Sequence, residues 1–232
     1  LLMQRRSVGK VKQLQHKSTT ELVAQELRNC IARGILQPGE KLNEVALCQQ
    51  LNVSRTPLRE AFRILQTQGL IEHNAYSGVV VHPLSEKFIN DTLEVRSALE
   101  VLSVTLAAKK IDDSGASNLQ KIQKQGVLYL EKDNNDWYLD YDTELHYAIV
   151  RLSGNLELEK QLQTLWNTSL LLHYYHASTR DRLKISVQEH GWIVESIIAG
   201  NADVAASFMQ LHYANGCRSM ISNFRQSQQK SE

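Results

Sequence analysis

Asn52-Val53-Ser54-Arg55-Thr56-Pro57-Leu58-Arg59-Glu60-Ala61-Phe62-Arg63-Ile64-Leu65 divides cleanly into two helical faces. Leu58, Ala61, Phe62 and Leu65 recur at helical spacing and form a face to bury, while Arg55, Thr56, Arg59 and Arg63 fall on or near the opposite side. Ser54 stands where an N-cap is wanted, and Pro57 lies in the first turn, where its missing N–H costs little. Upstream, a short helix is expected near Asn43 to Gln50, with Val45, Ala46 and Leu51 inward, joined by the tight connection Asn52-Val53. Before it, Thr19 or Thr20 caps a helix running to about Ile35, with Leu22, Val23, Leu27, Cys30 and Ile31 as its apolar stripe. Gln37-Pro38-Gly39 breaks that pattern. Downstream, Leu70-Ile71-Glu72, the turn-rich Asn74 to Gly78 and Val79-Val80-Val81 read as a β-hairpin. The order predicts a winged helix-turn-helix, whose third helix offers arginines to base edges in a major groove. A small three-helix packing module with a solvated arginine face fits the same pattern.

The charge distribution fits the first of these, and equally a basic tail with a chance imbalance. The chain has 232 residues and a net charge of only +1. Residues 1–83 carry 11 Lys/Arg against six Asp/Glu, for +5, and the remainder carries −4. A basic front joined to an acidic rear points to a polyanionic partner for the front alone. With 42% hydrophobic residues, disorder is excluded, and 11 Gly and three Pro favour helix over tight β turns. The cysteines, Cys30, Cys48 and Cys217, are scattered and odd in number, which fits a reducing, cytoplasmic compartment. No apolar run approaches the ~18 residues of a membrane span. Leu1 to Ser18 is polar and basic and does not read as a signal peptide.

From Ser85 onward helical periodicity covers about 85–110, 113–132, 135–152, 155–175, 179–199 and 202–225. Breaks are expected at Asp112-Asp113, Asn134-Asn135, Ser153-Gly154-Asn155, Ala177-Ser178 and Gly200-Asn201. The expected fold is therefore mainly α. It has a basic arm (1–18), a winged helix-turn-helix (19–83), an all-α bundle of six or seven helices (84–225) and a polar tail (226–232).

Asp142 and His146 stand at i, i+4, on the side of their helix that carries Leu139, Ile149 and Val150. His190 lies with Ile193, Val194 and Ile197, and His212 with Ala205, Phe208 and Met209. Three imidazoles and one carboxylate on three inward faces can converge on one Zn²⁺, Ni²⁺ or Mn²⁺ ion. Each histidine taken alone also fits a hydrogen-bonded core position.

The residues at 52–61 closely resemble the "gVSRTPVREAL" core of GntR-type bacterial transcription regulators. Pro38-Gly39-Glu40-Lys41-Leu42-Asn43-Glu44 is similar to their "PGerLnE", and Gln68-Gly69-Leu70-Ile71 to their "eGLv". The resemblance implies an operator-binding dimer in which Arg55 and Arg59 read bases, Thr56 and the preceding Ser54 stand beside them, and Gly78 forms the wing tip. Val45 replaces the usual Arg, and Asn74-Ala75-Tyr76-Ser77 lacks the usual wing Arg, so phosphate and minor-groove anchoring is expected either to be weaker or to be borrowed from the arm Arg5–Lys17. Residues 85–225 resemble the all-helical FCD ligand-binding domain of the FadR branch. Val95-Arg96-Ser97-Ala98-Leu99-Glu100 is similar to its "vRxaLE", and Asp142-Thr143-Glu144-Leu145-His146 to "DxxFH" with Leu145 for Phe. Ser153-Gly154-Asn155, Glu189-His190 and His212 resemble its "sgN" and "eH…H". The resemblance implies a divalent metal on Asp142, His146, His190 and His212, with Arg96 facing the cavity.

An ion with open positions beside an arginine fits a small anionic metabolite, such as a carboxylate or sugar acid. Trp137, Tyr141, Tyr174 and Trp192 are expected mostly as core. The expected protein is thus not an enzyme. It is a cytoplasmic regulator, a repressor by preference, that binds a palindromic double-stranded DNA operator as a homodimer. A metal sensor, in which the ion itself is the effector, is the first alternative. A metal-dependent hydrolase is the weaker one, since no separate general base stands out.

Overall fold

The computed structural model describes residues 18–74, 78–131, 137–176 and 179–229, with the side chains of 173, 174 and 176 left aside. The basic arm, the wing-tip residues 75–77, the expected breaks at 134–135 and 177–178, and the Tyr174 side chain lie outside what is described.

Helix α1 (Thr19–Ala32) is capped by Ser18, not by Thr19 or Thr20. Ser18 and Glu21 form a reciprocal capping box, which a Thr at the next position cannot supply. The helix ends three residues earlier than expected, with Gly34 at φ 70° closing it. Its buried face is Val23, Ala24, Leu27, Ile31 and Ala32, whereas Leu22 is 54% exposed. In α2 (Glu44–Gln50), the Asn43 side chain accepts from the Val45 and Ala46 amides. Here too the expected face is rotated: Leu47 is buried and Val45 is exposed. Asn52, at φ 52°, makes the sharp turn into α3 (Arg55–Thr67). Ser54 occupies the N-cap position, but its side chain makes no capping bond. Leu58, Ala61, Phe62 and Leu65 are buried as the periodicity requires.

Strands β1 (Ile71–Asn74) and β2 (Gly78–Val81) pair antiparallel, with Ile71 opposite Val81 and Asn74 opposite Gly78. Residues 39–42 lie along β2: the Gly39 and Leu42 amides donate to the Val81 and Val79 carbonyls, and the Val81 amide donates to Glu40. The hairpin is thus tied to the Pro-Gly turn that precedes α2.

Six further helices follow among the described residues: α4 (Glu86–Lys110), α5 (Asp113–Tyr129), α6 (Trp137–Ser153), α7 (Leu156–His176), α8 (Arg180–Ile198) and α9 (Ala202–Gln229). Ser85, Asp112 and Thr179 accept backbone amides at the starts of α4, α5 and α8. Helix α9 runs on through Gln229, so the tail expected from 226 is helical to that point. Helix α4 is central, packing on α6, α7, α8 and α9. It buries residues on several sides and so has no single apolar stripe.

The two halves keep separate cores that meet at α7 and the connector. Leu171 of α7 sits in the front core beside Leu27, Leu58 and Leu65, and Leu84 and Phe88 touch both cores. The connector 82–84, expected as a linker, is thus packed between the halves. No helix among the described residues is long and apolar enough to cross a membrane.

Candidate functional site

Asp142 and His146 share a face of α6, one turn apart; His190 comes from α8 and His212 from α9. All four are buried, and one ligand atom from each lies within 4.8 Å of all the others. Asp142 Oδ1 is 3.6 Å from His190 Nε2 and 3.9 Å from His146 Nε2. The convergence expected from the periodicity is what the structure contains.

His212 and His190 are oriented from behind through Nδ1, and a carboxylate stands close behind His146. His212 Nδ1 is 2.8 Å from Glu189 Oε2, His190 Nδ1 is 3.2 Å from the Tyr141 hydroxyl, and His146 Nδ1 is 3.0 Å from Glu100 Oε2. Those partners turn the Nε2 atoms towards one another, the usual arrangement behind metal-ligating histidines. Asp142 Oδ1 accepts from the Tyr138 hydroxyl at 3.0 Å. Glu189 is also bonded by Arg182 Nη2 and Asn215 Nδ2, at 3.0 and 2.6 Å. Burial pushes the Glu189 carboxyl up, but the bonds from His212 and Arg182 outweigh it and hold the group at about 2. Burial pushes the His212 imidazole below its ordinary value. Burial acts the same way on His146, yet the adjacent Glu100 carboxylate wins and raises it. With three imidazoles, one carboxylate and outer partners in place, the donor set fits a divalent cation of the borderline class.

Glu100, Glu189 and Tyr141 were not singled out from the sequence as partners of these histidines. The one available signal was the placement of acids on otherwise apolar helical faces, and it does not say what they meet. Tyr141 is buried core, as expected, but it also touches the site; Trp137 is core only, and Trp192 is half-buried against Phe208.

Arg96, 8% exposed, joins Asp142, His146, His212 and Tyr213 around a small chamber of about 30 Å³. Its Nε is 3.6 Å from Glu100 Oε1, and its guanidinium carbon is 5.5 Å from the Tyr213 ring centre. Arg96 and Asp142 also wall a wider cleft of about 380 Å³ that opens between α1, α6 and α7, where Arg28, Asn29, Glu144 and Asn167 face it. One helix of the front half therefore forms part of the approach to the chamber.

At the front, Ser54, Arg55, Thr56, Arg59 and Arg63 are all exposed on one side of α3, and Gly78 begins β2 at φ 82°. Arg59 Nε donates to Glu44 Oε2 at 3.0 Å, a tie to α2 that the sequence did not announce.

Residues 19–81 match the family described as bacterial regulatory proteins, gntR family, and residues 91–215 match the FCD domain. The Nta operon transcriptional regulator of Aminobacter aminovorans is 32% identical over 181 residues, covering 76% of this chain and 82% of its own. The gluconate operon transcriptional repressor of Bacillus subtilis is 28% identical over 187 residues, covering 80% and 75% respectively. Among solved structures, E. coli McbR/YncC shares the fold, with a TM-score of 0.77 at 19% identity, over 91% of this chain and all of that one. Both of these curated relatives are named as transcription regulators, not as enzymes. The helix-turn-helix in front, the all-helical unit behind and these likenesses place the chain in the GntR family of bacterial transcription regulators that carry an FCD domain.

Proposed function

We propose that the protein is a cytoplasmic, ligand-responsive repressor. In this reading it binds a near-palindromic operator as a homodimer and holds a divalent ion in its helical half. Asp142, His146, His190 and His212 hold the ion, which supplies a Lewis-acidic anchor for a small carboxylate. Arg96, in the same chamber, pairs with the other end of that acid. The observation that carries the reading is the meeting of four buried ligand atoms within 4.8 Å, with a buried arginine beside them.

In front, α3 enters the major groove with Arg55 and Arg59 towards base edges. Thr56 and Ser54 stand beside them, and Gly78 lets the wing backbone approach the minor groove. The uncapped Ser54 hydroxyl is available to a phosphate. The Glu44 carboxylate ties Arg59 to α2, and binding DNA exchanges that partner for the duplex. Domain limits near 18, 83 and 225 follow the same division of labour. Relatives named as repressors support the sign of regulation.

A second reading is favoured by the size of the chamber. A chamber of about 30 Å³ has room for an ion or a water, not for an organic acid, so the ion itself could be the signal. An acid must instead reach Asp142 and Arg96 from the wider cleft.

Native mass spectrometry of the purified protein tests oligomer, metal and small molecule together. Operator fragments selected from random DNA, titrated separately with Zn²⁺, Ni²⁺ or Mn²⁺ and with small acids, then separate the two readings. A monomer without metal, indifferent to both, refutes them.

A further inference from the structure

Glu100 lies mid-way along α4 and is completely buried. A carboxylate taken out of water needs partners for both oxygens. Oε1 accepts from Trp166 Nε1 of α7 at 2.9 Å and from the Tyr213 hydroxyl of α9 at 3.3 Å, with Arg96 Nε at 3.6 Å. Oε2 stands 3.0 Å from His146 Nδ1. One side chain thus touches a proposed metal ligand, the proposed effector clamp and α7.

The quality of these contacts is uneven. The bond from Trp166 is well formed, and the one from Tyr213 is long for a hydroxyl donor. Glu100 Oε2, His146 Nδ1 and Arg96 Nε are close together but not aligned for hydrogen bonding, which leaves three buried polar atoms short of a partner in one spot. With His146 among the residues that would hold the ion, its ring would be fixed, and with it the direction in which Nδ1 points at Glu100.

What Glu100 reports to is equally specific. Two residues beyond Trp166, Thr168 Oγ1 donates to the backbone carbonyl of Gln68, the C-cap of α3, at 3.2 Å. Arg28 Nη1 of α1 donates to the Gln68 side-chain oxygen at 3.1 Å. Leu171, one turn further along α7, completes the front core. The base of the DNA-facing helix therefore rests on the same helix that grips Glu100.

We propose that Glu100 is a positioning residue: it sets His146 for the ion and, through Trp166, carries occupancy of the metal site along α7 to the Gln68 end of α3. The inference rests on the metal reading above. Contiguity alone does not establish coupling, so the test must move one end and read the other.

Full-length protein stripped with chelator is titrated with Zn²⁺ against a chromophoric chelator, and amide hydrogen exchange is followed with and without the ion. In the wild type, Zn²⁺ slows exchange in the site helices and also over residues 64–70. Glu100→Gln keeps the shape but not the charge; it weakens Zn²⁺ binding about 10- to 100-fold and loses the effect at 64–70. Trp166→Phe keeps an aromatic ring beside Tyr147, whose ring centre now lies 4.0 Å from that of Trp166, and removes the indole N–H together with the second ring. It retains wild-type Zn²⁺ affinity and loses the effect at 64–70. Wild-type affinity in Glu100→Gln, or a preserved effect at 64–70 in Trp166→Phe, overturns the proposal. Should Glu100→Gln fail to fold, Trp166→Phe decides alone. A wild type that binds Zn²⁺ without any change at 64–70 overturns this inference and leaves the metal reading standing. A wild type that binds no divalent ion overturns both.

Discussion

Gly126, buried on α5, allows a remote test of the site. A methyl group built on its Cα falls 2.3 Å from Tyr141 Cε2, 2.4 Å from Cζ and 2.9 Å from Cδ2. Contacts that short to a ring are not absorbed by a flexible tip; the ring or the helix must move. The ring is held on both sides, since its hydroxyl donates to Gln123 Oε1 at 2.6 Å and meets His190 Nδ1 at 3.2 Å. Gly126→Ala should therefore act in two opposite directions. Helix propensity favours alanine by ~1 kcal/mol. Overpacking a filled core costs ~1–3 kcal/mol. The overlap is severe, so we place the overpacking near the top of its range, for a net loss of about 1–2 kcal/mol. At ~2–4 °C per kcal/mol for a chain of this size, the melting midpoint falls by about 2–8 °C. The displaced Tyr141 also loosens its hold on His190, so metal affinity falls by up to about 10- to 100-fold, as for other outer partners of ligating histidines. Calorimetry and chelator competition on the same samples measure both effects. Gly126→Ala combined with Tyr141→Phe should lose little more metal affinity than Tyr141→Phe alone, because both act through one hydrogen bond. A Gly126→Ala protein that melts at or above the wild-type temperature and binds metal unchanged refutes the reasoning.

Other expectations concern the two proposed interfaces and the seam between the halves. Arg55→Ala and Arg59→Ala should each cost ~1–3 kcal/mol of selective operator binding, measured as the ratio of affinities for selected and scrambled DNA. His190→Ala should abolish metal uptake in elemental analysis. It should also remove the stabilisation by the ion, which is ~2.7 kcal/mol for the wild type at a hundredfold excess over Kd. Leu171→Ala should cost ~2–5 kcal/mol, because the side chain comes from α7 yet fills the front core. Proteolysis should then cut first near the connector 82–84, whereas an unchanged cleavage rate would mean that α7 does not hold the halves together.

Much of this molecule was legible as a string. Periodicity marked each helix among the described residues, because it acts within one or two turns of chain, whereas Ser54, expected as a cap, makes no capping bond. The spacing of Asp142 and His146, and the apolar neighbours of His190 and His212, were enough to nominate all four metal-ligand candidates. The errors were local: Ser18 rather than Thr19 as the cap, Leu22 and Val45 turned outward, α9 continuing past 226. In a short helix one residue of rotation moves the apolar face by about 100°, and only the surface it packs against selects the rotation.

Folding was needed for whatever joins residues far apart in the chain. Glu100 meets His146, Trp166 and Tyr213; Glu189 meets His212; Thr168 meets Gln68; and Arg59 is tied to Glu44. A pattern of hydrophobicity states that a face is buried, not what it is buried against. The kinds of helix and their candidate ligands were therefore properties of the sequence by itself. The partners that aim those ligands, and the contact of α7 with the base of α3, arise only when the helices are brought within hydrogen-bonding distance, because such bonds act over about 3 Å in space whatever the separation along the chain.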